Sequence, residues 1–146
     1  MVKTSRSIIS FMSFLFFLSS CQTYFVSVES FKQQFGGIDS SKLKDVTVLT
    51  PIGSRIKYKA LPVTTIKCID NKGKSFELFN RPSIEIRFTD SNNKRTIFYF
   101  DRINVTDTSV TGVQSRIISS IRKTISLKSV RTIEIQDGRK RFRYVD

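Results

Sequence analysis

The chain has 146 residues, with 25 Lys or Arg against 12 Asp or Glu, two cysteines and no histidine. That length fits one domain with a modest core. Without histidine no Ser-His-Asp or Cys-His catalytic arrangement can be built, and the residues for a Cys/His zinc site are absent.

The first segment in chain order is a leader. Met1 to Ser7 carries Lys3 and Arg6 and no acid. Ile8 to Leu18 is apolar apart from Ser10 and Ser13. At about eleven residues this run is too short to cross roughly 30 Å of hydrocarbon as a helix, and it has the length of a signal-peptide core. Leu18-Ser19-Ser20 then leads into Cys21: an aliphatic residue three before the cysteine, then two small ones. Read alone, these residues also fit an ordinary cleaved signal or an uncleaved anchor. Together they resemble the lipobox of bacterial lipoprotein precursors. The resemblance covers residues 1 to 22. It implies cleavage between Ser20 and Cys21, a diacylglycerol thioether on Cys21 and, usually, an acylated amine. Gln22 after the cysteine, rather than Asp, resembles the Gram-negative signal for outer-membrane delivery. The expected division is therefore a leader over 1–20, a lipid-anchored tether with a short amphipathic helix over 21–45, and a β-domain over 46–146.

Loss of the leader removes two basic residues and no acids, leaving a net charge of about +11. In the cytoplasm that balance would point to nucleic acid. In the envelope the polyanions are lipid phosphates, lipopolysaccharide and acidic glycans, so no nucleic-acid partner is expected. With Cys21 lipidated, Cys68 has no intrachain partner. It shares one side of an extended segment with Ile66, which predicts a buried, inert thiol.

Beyond Cys21, Tyr24 and Phe25 are expected to pack on the domain. Val28, Phe31 and Phe35 share a helical face, with Ser27 as cap and Gly36-Gly37 as stop, so a short helix is predicted there. From Val46 the apolar period becomes two: Val46/Val48, Ile56/Tyr58, Ile66/Cys68 and Phe76/Leu78 read as half-buried strands. Thr50–Gly53 and Asp70–Gly73 are turn material. Ser83–Phe88 alternates strictly. Arg95–Phe100 is apolar on both faces, which predicts a central strand. Ile103/Val105, Val110–Val113 and Ile125/Leu127 continue the pattern, with a helical turn expected over 115–123. Thr132–Gln136 and Arg139–Tyr144 flank Asp137-Gly138, which predicts a closing type I′ hairpin. The fold class expected is mainly β: a small antiparallel sandwich or barrel with one short N-terminal helix.

A β unit also looks duplicated. Thr47–Ile56 aligns with Thr108–Ile117, matching Thr, Thr, Ser, Arg and Ile, and Val63–Asp70 aligns with Val130–Asp137. Chance matching among β-rich segments is the competing explanation.

No catalytic residue, metal site or cofactor is expected. Ser41-x-x-Lys44 and Ser120-x-x-Lys123 satisfy Ser-x-x-Lys by composition alone, and a working dyad also needs a desolvated lysine. Asp101 with Asp107, or Glu85 with Asp90, have the residue types of a glycosidase pair but read as solvated turn and strand carboxylates. The glycines form no phosphate-cradling loop. The candidate binding surface is the basic C-terminal segment: Arg139, Lys140, Arg141 and Arg143 suit an anionic surface. The same charges also suit an edge strand guarded against aggregation. The sequence is best read as a lipid-anchored cell-envelope protein, with the outer membrane favoured. It would serve as a non-catalytic interaction or assembly component with the membrane and other envelope proteins as partners. The alternative is a binding module for an anionic ligand, either a lipid headgroup or an acidic glycan.

Overall fold

A computed structural model describes residues 22–146. The lipobox, including Ser20 and Cys21, lies outside the described residues. Among those described, no helix is long and apolar enough to cross a membrane.

Helix α1 spans Val28–Phe35, as the apolar spacing predicts. The Ser27 hydroxyl accepts from the Ser30 N–H at 3.1 Å, satisfying one of the free donors of the first turn. Gly37 ends the segment at φ 71°, a conformation that favours glycine. Phe31 and Phe35 are fully buried, edge-on to Phe88 at 5.4 Å and Phe100 at 5.1 Å. Each such ring stabilises the fold by roughly 1.5–3 kcal/mol through burial.

The strands are β1 (Thr23–Val26), β2 (Lys44–Leu49), β3 (Arg55–Ala60), β4 (Thr65–Ile69), β5 (Ser75–Phe79), β6 (Ile84–Asp90), β7 (Arg95–Tyr99), β8 (Ile103–Val105), β9 (Ser109–Val113), β10 (Arg122–Ser126), β11 (Val130–Asp137) and β12 (Arg143–Val145). Among the described residues they form three antiparallel sheets, ordered β5-β4-β1-β11-β6-β7, β10-β9-β8 and β12-β2-β3. The protein is mainly β with one α-helix, its sheets packed together as a small sandwich. The core joins α1 to the alternate residues Ile66, Cys68, Ile86, Phe88, Phe98, Ile133 and Ile135 of the large sheet, and to Val105 and Val110 of the β10-β9-β8 sheet. Cys68 is 6% exposed and burial pushes its thiol up to about 11, in line with an inert core residue.

Four expectations change. The tether assigned to 21–45 contributes β1, a strand inserted between β4 and β11. Tyr24 and Phe25 do pack on the domain, within that strand. The closing hairpin does not form: β12 pairs with β2, Tyr144 opposite Val48, and not with β11. The reason is that β1 and β6 occupy both edges of β11, so no ladder position is left for β12. The chain leaves β11 through Gly138, whose N–H donates to the Ser83 carbonyl at 3.0 Å, and Arg139 takes the positive φ of 49°. β7 is an edge strand of its sheet rather than a central one. Its two apolar faces reflect two covers: Phe98 faces the aromatic core, while Tyr99 meets Phe142 at 6.3 Å on the other side. Residues 115–123 form no helix, only a single turn in which the Ile121 N–H donates to the Ile118 carbonyl at 3.3 Å. The Gln114 N–H donates to the Ile121 carbonyl at 2.9 Å and closes a loop between β9 and β10.

The suspected duplication matches the topology in part. β2–β3 and β9–β10 are both hairpins, and β4 and β11 both flank β1. It fails at the last strands, since β5 pairs with β4 while β12 crosses to β2.

Candidate functional site

The most buried charges lie where the three sheets meet. Asp101 follows β7 in a short 3₁₀ turn, Phe100–Arg102, and is 0% exposed; Arg116, on the β9–β10 loop, is 2% exposed. An isolated charge at such depth carries a desolvation penalty of several kcal/mol. Here each is answered. Arg116 donates from Nη2 to Asp101 Oδ1 at 2.8 Å and from Nη1 to Oδ2 at 3.1 Å, a two-pronged bridge. It also donates to the Pro82 carbonyl and the Tyr58 hydroxyl. Tyr58 in turn donates to Asp101, and Tyr144 does so at 2.8 Å. The Tyr99 ring covers the guanidinium at 4.1 Å. Burial alone would lower the pKa of Arg116, but the bonds to Asp101 and its charge outweigh that and raise it.

Tyr58 stands on β3 and Tyr144 on β12, so the cage ties the β12-β2-β3 sheet to the end of β7 and to the β9–β10 loop. Little in the sequence points to this. Arg116 sits in Ser115-Arg116-Ile117, where an arginine reads as a surface residue, and its aligned counterpart Arg55 is exposed. The one available hint is the alternation placing Tyr58 with Ile56.

The cage makes a pH prediction. Burial, and after it the charge of Asp101, pushes both the Tyr58 and Tyr144 hydroxyls well above the ordinary tyrosine value. In the unfolded chain each ionises near pH 10. Above that pH the folded state retains protons that the unfolded state has lost. Stability is therefore intact below about pH 10 and falls beyond it, by at most about 1.4 kcal/mol per pH unit for each hydroxyl. Urea unfolding between about pH 10 and 12 should show this slope, reduced in Tyr58→Phe and in Tyr144→Phe. A slope identical in all three proteins would show that these hydroxyls do not drive the alkaline loss.

Beside the cage a cleft of about 550 Å³ opens between β3 and the β8–β9 strands, within the size range of small-ligand pockets. Lys57, Lys59, Arg102 and Arg122 line it, and Asp101, already engaged with Arg116, is the acidic residue in its wall. Arg102 is half-buried, stacked on the Tyr58 ring at 4.6 Å, and donates to the Arg116 carbonyl at 3.3 Å. Burial lowers its pKa. Lys59 pairs with Asp45 at 3.3 Å, both exposed, a contact worth little in solvent.

The four basic residues singled out in the C-terminal segment separate. Arg139, Arg141 and Arg143 are exposed. Lys140 folds back to Glu85 and donates to the Tyr99 hydroxyl at 3.1 Å, which fastens the segment to the outer face of the large sheet. The other candidates also disperse. Glu85 and Asp90 lie at opposite ends of β6, Asp101 is buried, and Asp107 is exposed. Lys123 donates to Thr96 Oγ1 at 2.9 Å. Among the described residues no group of three His, Cys, Asp or Glu side chains gathers to hold a metal ion.

No protein-family model, curated protein or solved structure matches the chain.

Proposed function

We propose that the chain is a lipid-anchored cell-envelope protein, held through Cys21 and acting as a non-catalytic interaction or assembly component. The sequence order carries the reading: the basic Met1–Ser7 stretch, the apolar run to Leu18, and Leu18-Ser19-Ser20 leading directly into Cys21. Intact mass of the membrane-bound protein tests the anchor. Wild type should begin at Cys21 and carry acyl mass, while Cys21→Ala should remain unprocessed. An unmodified, soluble wild type would sink the reading.

The second reading, a binding module for an anionic ligand, is favoured by Arg102, a half-buried cation with neighbouring cations and a carboxylate already bound elsewhere. Titration with pyrophosphate, followed by amide NMR, should shift signals around Lys57 and Arg102 and leave those of Arg102→Gln in place. Equal shifts in both proteins would remove this reading.

A further inference from the structure

The strand next to the lipobox allows the anchored domain to be oriented. In the large sheet Thr23 stands opposite Gln136 of β11, and Gln136 stands opposite Glu85 of β6. On the other side of β1, Phe25 stands opposite Ile69, the last residue of β4. The start of β1 is therefore bracketed by two chain reversals: the β4–β5 turn over Asp70–Lys74 and the exit from β11 over Asp137–Arg141. Two residues of chain reach at most about 7 Å, so Cys21 cannot leave this neighbourhood.

Both brackets present cations outward. Lys72, Lys74, Arg139 and Arg141 are exposed. The acids in the same segments are turned toward their own backbone. Asp70 Oδ1 accepts from the Lys72 and Lys74 N–H groups at 2.8 Å each, and Asp137 Oδ1 accepts from the Arg139 N–H at 2.9 Å. Both of these acids are only partly exposed, and Lys140 is held by Glu85 on the sheet face. What remains outermost around the anchor point is positive.

We propose that the lipid on Cys21 seats the domain end-on, with Lys72, Lys74, Arg139 and Arg141 held against anionic lipid headgroups. The proposal rests on the lipid-anchor reading above and adds the face of contact. A tether of many residues would let the domain tumble at the surface. One that is consumed by a sheet strand within two residues fixes its tilt. The opposite end of the sheet then points away from the membrane. It carries the β6–β7 turn, Asp90–Lys94, about 20 Å further along β6 at roughly 3.3 Å per residue.

The experiment uses the full lipoprotein, purified from membranes after intact mass has confirmed the acyl group on Cys21. A fluorophore is placed in turn at Lys72→Cys, Arg139→Cys and Asn92→Cys, with buried Cys68 left unlabelled. Each protein is set in phosphatidylglycerol bilayers containing a lipid spin-labelled at its headgroup. Positions 72 and 139 should be quenched severalfold more than position 92. Equal quenching at all three, or the strongest at 92, overturns the orientation. Phosphatidylcholine bilayers should lower the quenching at 72 and 139, since each cation contributes roughly a fivefold preference for an anionic surface. Quenching that ignores lipid charge overturns the role of the four cations. A protein without acyl mass fails at the first step, which removes the anchor itself and is read before any fluorophore is examined.

Discussion

Arg116→Met should cost about 3–5 kcal/mol of stability, because it leaves Asp101 as a buried charge without its counter-ion. The Asp101 carboxylate is 0% exposed and would retain only the two tyrosine hydroxyls. For a domain of this size the melting temperature should fall by at least about 10 °C. Arg116→Lys should recover little. One ammonium cannot make the two-pronged bridge, reach the Pro82 carbonyl and lie flat under the Tyr99 ring together. Urea unfolding with an unchanged m value checks both variants. A loss below about 1 kcal/mol for Arg116→Met would mean that the tyrosines alone support the carboxylate. Asp101→Asn combined with Arg116→Met should regain part of the loss, since the uncompensated charge is then gone.

Gly112→Ala should also be damaging, and its cause is steric. Gly112 lies in β9 with the fully buried Phe98 ring directly above it. A methyl group there would overlap the ring at Cγ and come within 2.7 Å of both Cδ atoms. Phe98 is itself held by Phe88, their ring centroids 5.9 Å apart, so it cannot step aside. Overpacking of this kind costs typically about 1–3 kcal/mol. Phe98→Leu should be destabilising on its own, yet in the Gly112→Ala background it should cost much less. Strict additivity in that double-mutant cycle would show that the two sites do not share the space.

What the sequence disclosed and what it withheld follow the range of the forces involved. Helix α1 was legible because its cap, its apolar face and its stop all lie between Ser27 and Gly37. The β4–β5 hairpin was legible for the same reason, joining two adjacent alternating runs through Asp70–Gly73. The place of β1 was not. Four residues, Thr-Tyr-Phe-Val, carry too little periodicity to name a strand, and their partners lie far along the chain. Asp137-Gly138 has the chemistry of a tight turn, but a turn needs a free edge to return to, and the occupation of both β11 edges is a property of the whole sheet. The site behaved likewise. Arg139, Lys140, Arg141 and Arg143 were visible as a cluster, whereas the separate fate of Lys140 depended on Glu85, which faces it from β6. Arg116 was missed because nothing local distinguishes a buried arginine from an exposed one. Only the convergence of Asp101, Tyr58 and Tyr144 does so.

The position of β1 also dictates when this protein can fold. β1 is an interior strand of the six-stranded sheet, and its main ladder is with β11, about 110 residues later. Closing so long a loop comes before any hydrogen bond of that ladder rewards it, which makes the central pairing a late and slow event. An emerging chain therefore cannot complete the six-stranded sheet until β11 has followed. Until then α1 lacks the Ile133 and Ile135 side of its core. The six-stranded sheet is completed only when nearly all of the chain is available.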